Sequence, residues 1–375
     1  MNDRARPSIV LTSNTSWYLW NFRRRLAEEL DGRGFQVVFV APEDDYSCRL
    51  REQGRFCAIS MNRKGKNPVR ELITMRQIAR LLDEEKPDIV LSWTPKLNLY
   101  CSLLSRSRSL QVIPNVAGLG AVFVNQGMLA GLVGVLYRFA FARLGTVFFQ
   151  NKDDLRFFED RGWLNGGVAR LLPGSGVDLG RFEATELPEN DPFVFLFAGR
   201  LIADKGLPQL VEAGRKLRQG GDNFVIRVHG HLDPDNPTGI PEAQLHEWHD
   251  RGDIDYQGAT DRIEAAINLA DAVVLPSFYR EGIPRILLEA AACGRPVITT
   301  DSVGCREAVE DGENGYLCDP RSVDSLAAAM KKLLQLSPAE RQAMGNAARQ
   351  LAETRFDERI VINAYMTAVQ ADSAG

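Results

Sequence analysis

Twice along this chain, short and almost unbroken apolar runs alternate with segments patterned as amphipathic helices, and that alternation leaves few folds open. In the first half the runs fall at 9–12, 36–41, 56–59, 89–93, 112–115, 147–150 and 169–172, with helical patterns at 21–33, 68–85 and 127–143. A strand that is apolar on both faces must be covered on both faces, which is the property of a parallel sheet flanked by crossover helices. The alternation restarts at 193–198 and continues through 224–229, 254–257, 272–276 and 297–300; helical segments 323–336, 338–355 and 358–369 close the chain. The predicted fold is α/β, with two doubly wound, Rossmann-like parallel-sheet domains. At 375 residues the chain is also too long for one ordinary core. The polar, proline-bearing stretch 184–192 reads as the boundary. We therefore place a first domain at 1–185, a second at 186–355 and a C-terminal helix at 356–375. Ligands of such sheets gather outside the carboxyl ends of the strands.

One strand end is unusually rich in chemistry. The run 272–276 leads into a tight turn and then a helix, with Glu281 on the turn, Glu289 eight residues later, and Gly282 and Pro284 between them. Gly282 lets the backbone approach a ligand closely, and Pro284 suits the first helical turn. Amides at a helix N-terminus, aided by the dipole, seat a phosphate or a hydroxyl. Carboxylates accept hydrogen bonds from hydroxyl groups. A nucleotide sugar meets both demands. A second strand end, after 193–198, carries Arg200 and Lys205 behind a turn at Gly199. Two fixed cations there would neutralise the charge that builds on a departing diphosphate.

Composition narrows the class. Apolar residues make up 45% and charged residues 25%, an ordinary soluble balance. Charge is divided, however: residues 1–184 carry 26 Lys/Arg against 19 Asp/Glu, and residues 185–375 carry 19 against 30. A basic first half suits an anionic partner such as a lipid diphosphate or an acidic membrane surface; no nucleic-acid partner is expected. Cysteines 48, 57, 101, 293, 305 and 318 have scattered spacings and, with no leader pattern at the start, read as reduced thiols of a cytoplasmic protein. The longest apolar stretch, 127–149, is broken by Arg138 and Arg143, and its unbroken part is too short to span a bilayer. It reads as a core helix, with a membrane-facing element as the alternative.

Metal chemistry finds little support. Asp233 and Asp235 lie in a Pro-rich turn, Asp253 and Asp255 bracket a short strand, and His246 and His249 lack a third ligand at metal-like spacing. His229 and His231 read as structural residues at a strand end. No metal and no other cofactor are expected.

The Glu281–Glu289 pattern following 271–277, together with Gly199-Arg200, Lys205-Gly206 and Pro173-Gly174-Ser175-Gly176-Val177-Asp178 with Phe182 beyond, resembles the donor site of GT4-type glycosyltransferases of GT-B fold. The resemblance implies a retaining transfer of an N-acetylhexosamine or hexose from a UDP-sugar. It makes Arg200, Lys205 and Glu281 the catalytic residues and gives the ribose hydroxyls to Glu289. Gly199, Gly282, Ile283 and Pro284 would line the donor, Thr260 and Asp261 would lie near the base, and 304–307 would support the helix from behind. It also implies two domains facing a cleft, and a last helix that returns to the first domain.

The first domain departs from the commoner family pattern. Its first loop, Ser13-Asn14-Thr15-Ser16-Trp17, lacks a glycine pair, and no histidine precedes His229. Asn21-Phe22-Arg23, Asn67-Pro68, Thr94-Pro95-Lys96 and Gly118-Leu119-Gly120 are instead similar to the bacterial subgroup that extends undecaprenyl-diphosphate-linked sugars. That similarity implies a lipid-linked sugar acceptor and peripheral association with the cytoplasmic face of the inner membrane. Acceptor candidates are Asn14, Arg63, Lys64, Lys66, Lys96, Asn115, Gly118 and Gly120. Two alternatives stay open: the same chemistry on a soluble or lipopolysaccharide-core acceptor, and a non-catalytic nucleotide-sugar-binding component of an assembly complex.

Overall fold

The computed structural model describes residues 6–62, 67–118, 128–164, 168–188 and 190–371. Among them, thirteen strands form two wholly parallel sheets. The first holds β1 (Ser8–Thr12), β2 (Gln36–Ala41), β3 (Arg55–Ala58), β4 (Ile89–Trp93), β5 (Gln111–Val116), β6 (Thr146–Phe149) and β7 (Val168–Leu171) in the order β3-β2-β1-β4-β5-β6-β7. The second holds β8 (Phe193–Ala198), β9 (Phe224–His229), β10 (Asp255–Tyr256), β11 (Ala272–Leu275), β12 (Val297–Thr300) and β13 (Gly315–Cys318) in the order β10-β9-β8-β11-β12-β13. Strand order therefore reverses between β1 and β4 in one sheet and between β8 and β11 in the other. Such a reversal opens a crevice at the carboxyl ends of the two central strands.

Helices α1 (Ser16–Gly32), α2 (Ser47–Gln53), α3 (Pro68–Glu85), α4 (Pro95–Ser105), α5 (Met128–Phe141) and α6 (Lys152–Glu159) serve the first sheet. Helices α7 (Leu207–Gln219), α8 (Glu242–Asp250), α9 (Ile263–Asn268), α10 (Arg285–Ala292), α11 (Val323–Gln335) and α12 (Pro338–Leu351) serve the second, and α13 (Glu358–Ala371) ends the chain. Both faces of the first sheet are dry. Ile78, Tyr100, Tyr137 and Phe141 of α3, α4 and α5 cover one face, over Val10, Val90 and Val147. Leu19, Leu26 and Leu30 of α1 and Tyr365 and Val369 of α13 cover the other, over Leu11, Leu91 and Phe148. This is the double cover that near-continuous apolar strands demand.

Sequence pattern missed two features. Helix α1 starts five residues before the predicted 21, because the Thr15 hydroxyl accepts the Tyr18 amide and caps it. Strand β13 was not expected, since it opens on glycine, a weak strand former. Here the glycine is required by packing: a Cβ on Gly315 would stand 2.0 Å from the Val297 carbonyl oxygen. The segment at 127–149 is also only half a core helix, since α5 buries Tyr137, Ala140 and Phe141 while Leu132, Val135 and Phe139 stay exposed.

One compact unit runs to Leu172 and resumes at Val361; the other is Pro173–Ile360. The division precedes the polar stretch expected to be the boundary, and the reason is Arg295. Its guanidinium is fully buried and donates to the carbonyl (2.8 Å) and hydroxyl (2.6 Å) of Thr185 and to the Glu186 carbonyl (3.2 Å). Asn190 adds a bond to Asp271 at 2.9 Å. The stretch 184–192 is therefore part of the second unit, despite its linker-like composition. At the other end, Val177 donates to the Phe356 carbonyl and accepts from the Glu358 amide, which holds 356–358 in that unit as well. The chain then returns to the first unit, where the Tyr365 hydroxyl accepts from Trp93 Nε1 at 2.8 Å and from Asn115 Nδ2 at 2.6 Å.

Candidate active site

Most of the predicted donor residues lie on the loops that follow β8 and β11; Thr260 and Asp261 do not. Beyond β8 the chain passes Gly199 and Arg200 and makes a short 3-10 turn, Ala203–Lys205, which Gly206 ends with φ +84°. Beyond β11 it passes Ser277 and Glu281 to reach α10. The two loops are pressed together: the Phe278 amide donates to the Asp204 carbonyl at 3.0 Å. A Cβ on Gly206 would lie 2.1 Å from the Pro276 carbonyl oxygen, so only glycine fits both the space and the left-handed backbone.

This packing buries Lys205, 7% exposed as a residue, and brings its ammonium onto the Glu281 carboxylate, with which it forms a close ion pair. The Ser277 hydroxyl reaches the same carboxylate oxygen at 3.4 Å. The buried ammonium and the partly exposed carboxylate compensate each other at the strand end, and either is available to an incoming ligand of opposite polarity. Arg200, on the same loop as Lys205, is 3.7 Å from the Asp233 carboxylate, and its guanidinium lies 5.4 Å from the centre of the ring of Tyr279, two residues before Glu281. Sequence reasoning missed Ser277 and Tyr279, and took Asp233 only as a turn former. Its turn role is real, since the Asn236 amide donates to the Asp233 carbonyl at 2.9 Å, but its carboxylate also faces Arg200.

Helix α10 starts at Arg285, so Pro284 is its N-cap and not a residue of its first turn. Glu289, 9% exposed, is one turn further on and accepts from Arg285 Nε at 2.8 Å, a bond that fixes the carboxylate's direction. Ile283 and Pro284 are buried on the same turn. The glycine roles shift by comparison with expectation. Neither Gly199 nor Gly282 adopts a left-handed backbone, and a Cβ on Gly199 would meet nothing within 4 Å. The tight approach is made by Gly304 (φ +84°), whose Cβ would lie 2.2 Å from the Gly282 carbonyl oxygen and 2.6 Å from that of Glu281. Gly304 thus packs against the carboxylate turn itself, whereas the expectation for 304–307 was support of the helix from behind.

Thr260 and Asp261 follow β10, the edge strand two positions from β8. The Thr260 hydroxyl accepts the Arg262 amide at 3.0 Å, and the Asp261 carbonyl accepts from the distant Arg181 at 3.1 Å. His229 bonds the Gly258 carbonyl through Nδ1, and burial lowers its pKa; His249 accepts the Tyr256 amide. Burial pushes the thiols of Cys101, Cys293 and Cys318 up to about 12, which leaves them unreactive. Among the described residues, no group of three or more His, Cys, Asp or Glu is placed to hold a metal ion.

Residues 181–351 match the family model of glycosyl transferases group 1, and residues 8–151 match that of glycosyl transferase 4-like proteins. The chain is a GT4-type glycosyltransferase. Over 377 aligned residues it is 27% identical to an N,N'-diacetylbacillosaminyl-diphospho-undecaprenol alpha-1,3-N-acetylgalactosaminyltransferase of Campylobacter jejuni, covering 96% of this chain and 97% of that one. A glycogen synthase of Mycobacterium tuberculosis is 34% identical over 51% of the transferase, which spans only 45% of that relative. Among solved structures, sucrose-phosphate synthase of Thermosynechococcus elongatus superposes with a TM-score of 0.81 at 18% identity, over 99% of this chain and all of that one. HepE of Anabaena, in complex with UDP and glucose, gives 0.78 at 16%, over 98% and 100%. The transferase has the GT-B fold.

Its acceptor candidates divide. Asn14 follows β1 and is half-buried. Lys96 donates to the Asn62 carbonyl at 2.9 Å and to Glu71 at 2.6 Å, an engagement its sequence did not suggest. Asn115 is fully buried: its amide serves Tyr365 and its carbonyl accepts from Asn98 at 2.7 Å, so it anchors α13 in the first unit. Gly118 has φ +126° beyond the end of β5. Arg63, Lys64, Lys66 and Gly120 lie outside the described residues. Among those described, no helix is long and apolar enough to cross a membrane.

Proposed function

We propose that this enzyme is a retaining glycosyltransferase that moves an N-acetylhexosamine or hexose from a UDP-sugar to a polyprenyl-diphosphate-linked saccharide during glycan assembly at the cytoplasmic face of the membrane. The observation that carries the donor side is the Lys205–Glu281 pair at the β8–β11 crevice, with Arg200 on the same loop as Lys205 and against Tyr279 of the facing loop. A diphosphate entering there would draw Lys205 and Arg200 to its oxygens and release Glu281 to accept a hydroxyl of the transferred sugar. Glu289, oriented by Arg285, would take the ribose hydroxyls. As the bond from the sugar's anomeric carbon to phosphate breaks, the electron pair leaves with the diphosphate, whose charge the two cations neutralise. The acceptor oxygen attacks from the same face and its proton passes to the departing phosphate oxygen, which keeps the anomeric configuration. Support for the acceptor comes from the C. jejuni relative, whose name specifies an undecaprenyl-diphosphate-linked substrate and whose alignment spans nearly the whole chain.

Melting temperature with saturating UDP, GDP and ADP tests the donor side. A ligand at about 100 times its dissociation constant adds roughly 2.7 kcal/mol to the native state. UDP should raise the melting temperature of wild type and lose that effect in Glu289→Ala; an equal shift in the variant would remove Glu289 from the ribose. No divalent cation is required in this scheme, because Arg200 and Lys205 supply the positive charge. Turnover should therefore survive EDTA, whereas its abolition by EDTA and restoration by magnesium would refute that part.

A further inference from the structure

The first unit carries a surface that the donor site does not use. Helices α3, α4 and α5 form one layer over one face of the first sheet, and each turns a buried stripe inward. Their outer sides are not polar. Val69 (65% exposed), Leu72 and Ile73 form a stripe on α3, and Leu132, Val135 (66% exposed) and Phe139 form another on α5. The spacings of three and four residues put each set on one side of its helix. Of the ten large hydrophobic residues exposed among the described ones, these two stripes hold six.

Each stripe continues into arginine. Arg76 follows Ile73 by three residues on α3 and Arg138 follows Val135 by three on α5, both exposed. Arg106, at the end of α4, lays its guanidinium 3.8 Å from the centre of the Phe139 ring and bonds the Phe139 carbonyl at 2.8 Å. The sequence of α4 and α5 and around them is free of acid, whereas α3 carries Glu71 within its stripe and Asp83, Glu84 and Glu85 at its end. From residue 89 to residue 152 there is no Asp or Glu, while six Lys/Arg occur in the same span.

We infer that the outer side of this three-helix layer is the surface by which the enzyme docks on an anionic lipid bilayer. Exposed Val, Leu, Ile and Phe enter the boundary between headgroups and chains, and the arginines at the stripe ends snorkel to the phosphates. Charge selects this occupant. Exposed Arg70, Arg76 and Arg80 on α3 and Arg138 on α5 accompany the stripes, and α4 and α5 carry no carboxylate. The acids of α3 are Glu71, which Lys96 engages, and Asp83, Glu84 and Glu85 at its far end, so that pairing two copies of the face would set arginine against arginine. Acidic lipid headgroups supply that negative charge at every point of contact. The inference deepens the reading of a lipid-linked acceptor and rests on it for its purpose: a docked first unit waits where such an acceptor is held.

Co-sedimentation of the whole enzyme with vesicles tests it, without donor or acceptor present. The enzyme should bind vesicles of equal parts phosphatidylcholine and phosphatidylglycerol, should bind phosphatidylcholine alone far more weakly, and should be released by high salt. Arg138→Glu should lower partitioning about fivefold or more, from roughly 1 kcal/mol per charge near the surface. Val135→Glu should act in the same direction, and Leu269→Glu, at an equally exposed position of the second unit, should not. Unchanged melting temperatures and an intact UDP shift in each variant separate lost docking from lost folding. Absence of binding to anionic vesicles, equal binding to neutral ones, or binding that Arg138→Glu and Val135→Glu leave intact would overturn the inference. So would a lipid-independent dimer dissolved by Val135→Glu. Vesicle binding without any UDP shift would refute the donor reading alone, and a UDP shift without vesicle binding would refute docking alone.

Discussion

Lys205→Ala should lower turnover roughly 10²–10³-fold at saturating donor, the scale on which loss of one preorganised electrostatic group acts. Its melting temperature should move by only a few degrees. The asymmetry follows from where the ammonium sits. Lys205 lies at the mouth of the β8–β11 crevice, and Glu281, with which it is paired, keeps about a fifth of its side chain in water. Removing the lysine leaves a carboxylate that solvent can still reach, so folding loses little. The departing diphosphate, in contrast, loses its nearest buried cation. Release of UDP from a panel of UDP-sugars, read beside a thermal melt, checks both halves. Loss of activity in step with loss of folded protein would make Lys205 a structural residue. A decrease below tenfold would move the main cationic role to Arg200.

The second large effect concerns stability. Arg295→Ala should destabilise the second unit by about 4 kcal/mol, since each buried acceptor left without its donor costs on the order of 1–3 kcal/mol and water can rescue some of them. The Arg295 guanidinium serves Thr185, Glu186, Ile267, Asn268 and Cys293, and so ties three segments together at one group. For a domain of this size that corresponds to a melting temperature lower by roughly 10 °C. Differential scanning calorimetry would show it, together with faster proteolysis in 184–192, because that stretch would regain the mobility its composition suggests. A melting temperature within about 3 °C of wild type would mean that these bonds are replaced without loss.

Arg295 also marks the limit of what composition could tell. Residues 184–192 have every local property of a linker, and local properties are all that a linear reading weighs. A guanidinium over a hundred residues away converts the stretch into part of a domain. Gly304 and Gly315 carry the same lesson. Each is glycine because a carbonyl oxygen from elsewhere in the chain occupies the place of its Cβ, a demand that no neighbouring residue announces. Lys96 and Asn115 looked like ligand-facing polar groups at strand ends, yet Glu71 and Tyr365 engage them.

What could be read directly was whatever depends on short range. Strand and helix periods, and hence two doubly wound sheets, follow from burial on both faces of each strand. The candidate donor residues could be named from the sequence because a crevice site in such a sheet is built from the loop after a strand, and Gly199, Arg200, Lys205, Glu281 and Glu289 follow two strand ends. The tertiary structure alone decided that Lys205 and Glu281 form an ion pair, that Asp233 and Tyr279 flank Arg200, and that the apolar stripes of α3 and α5 lie on one layer. Those relations join residues tens of positions apart, and only close packing of distant segments, which excludes all but one arrangement of their side chains, can specify them.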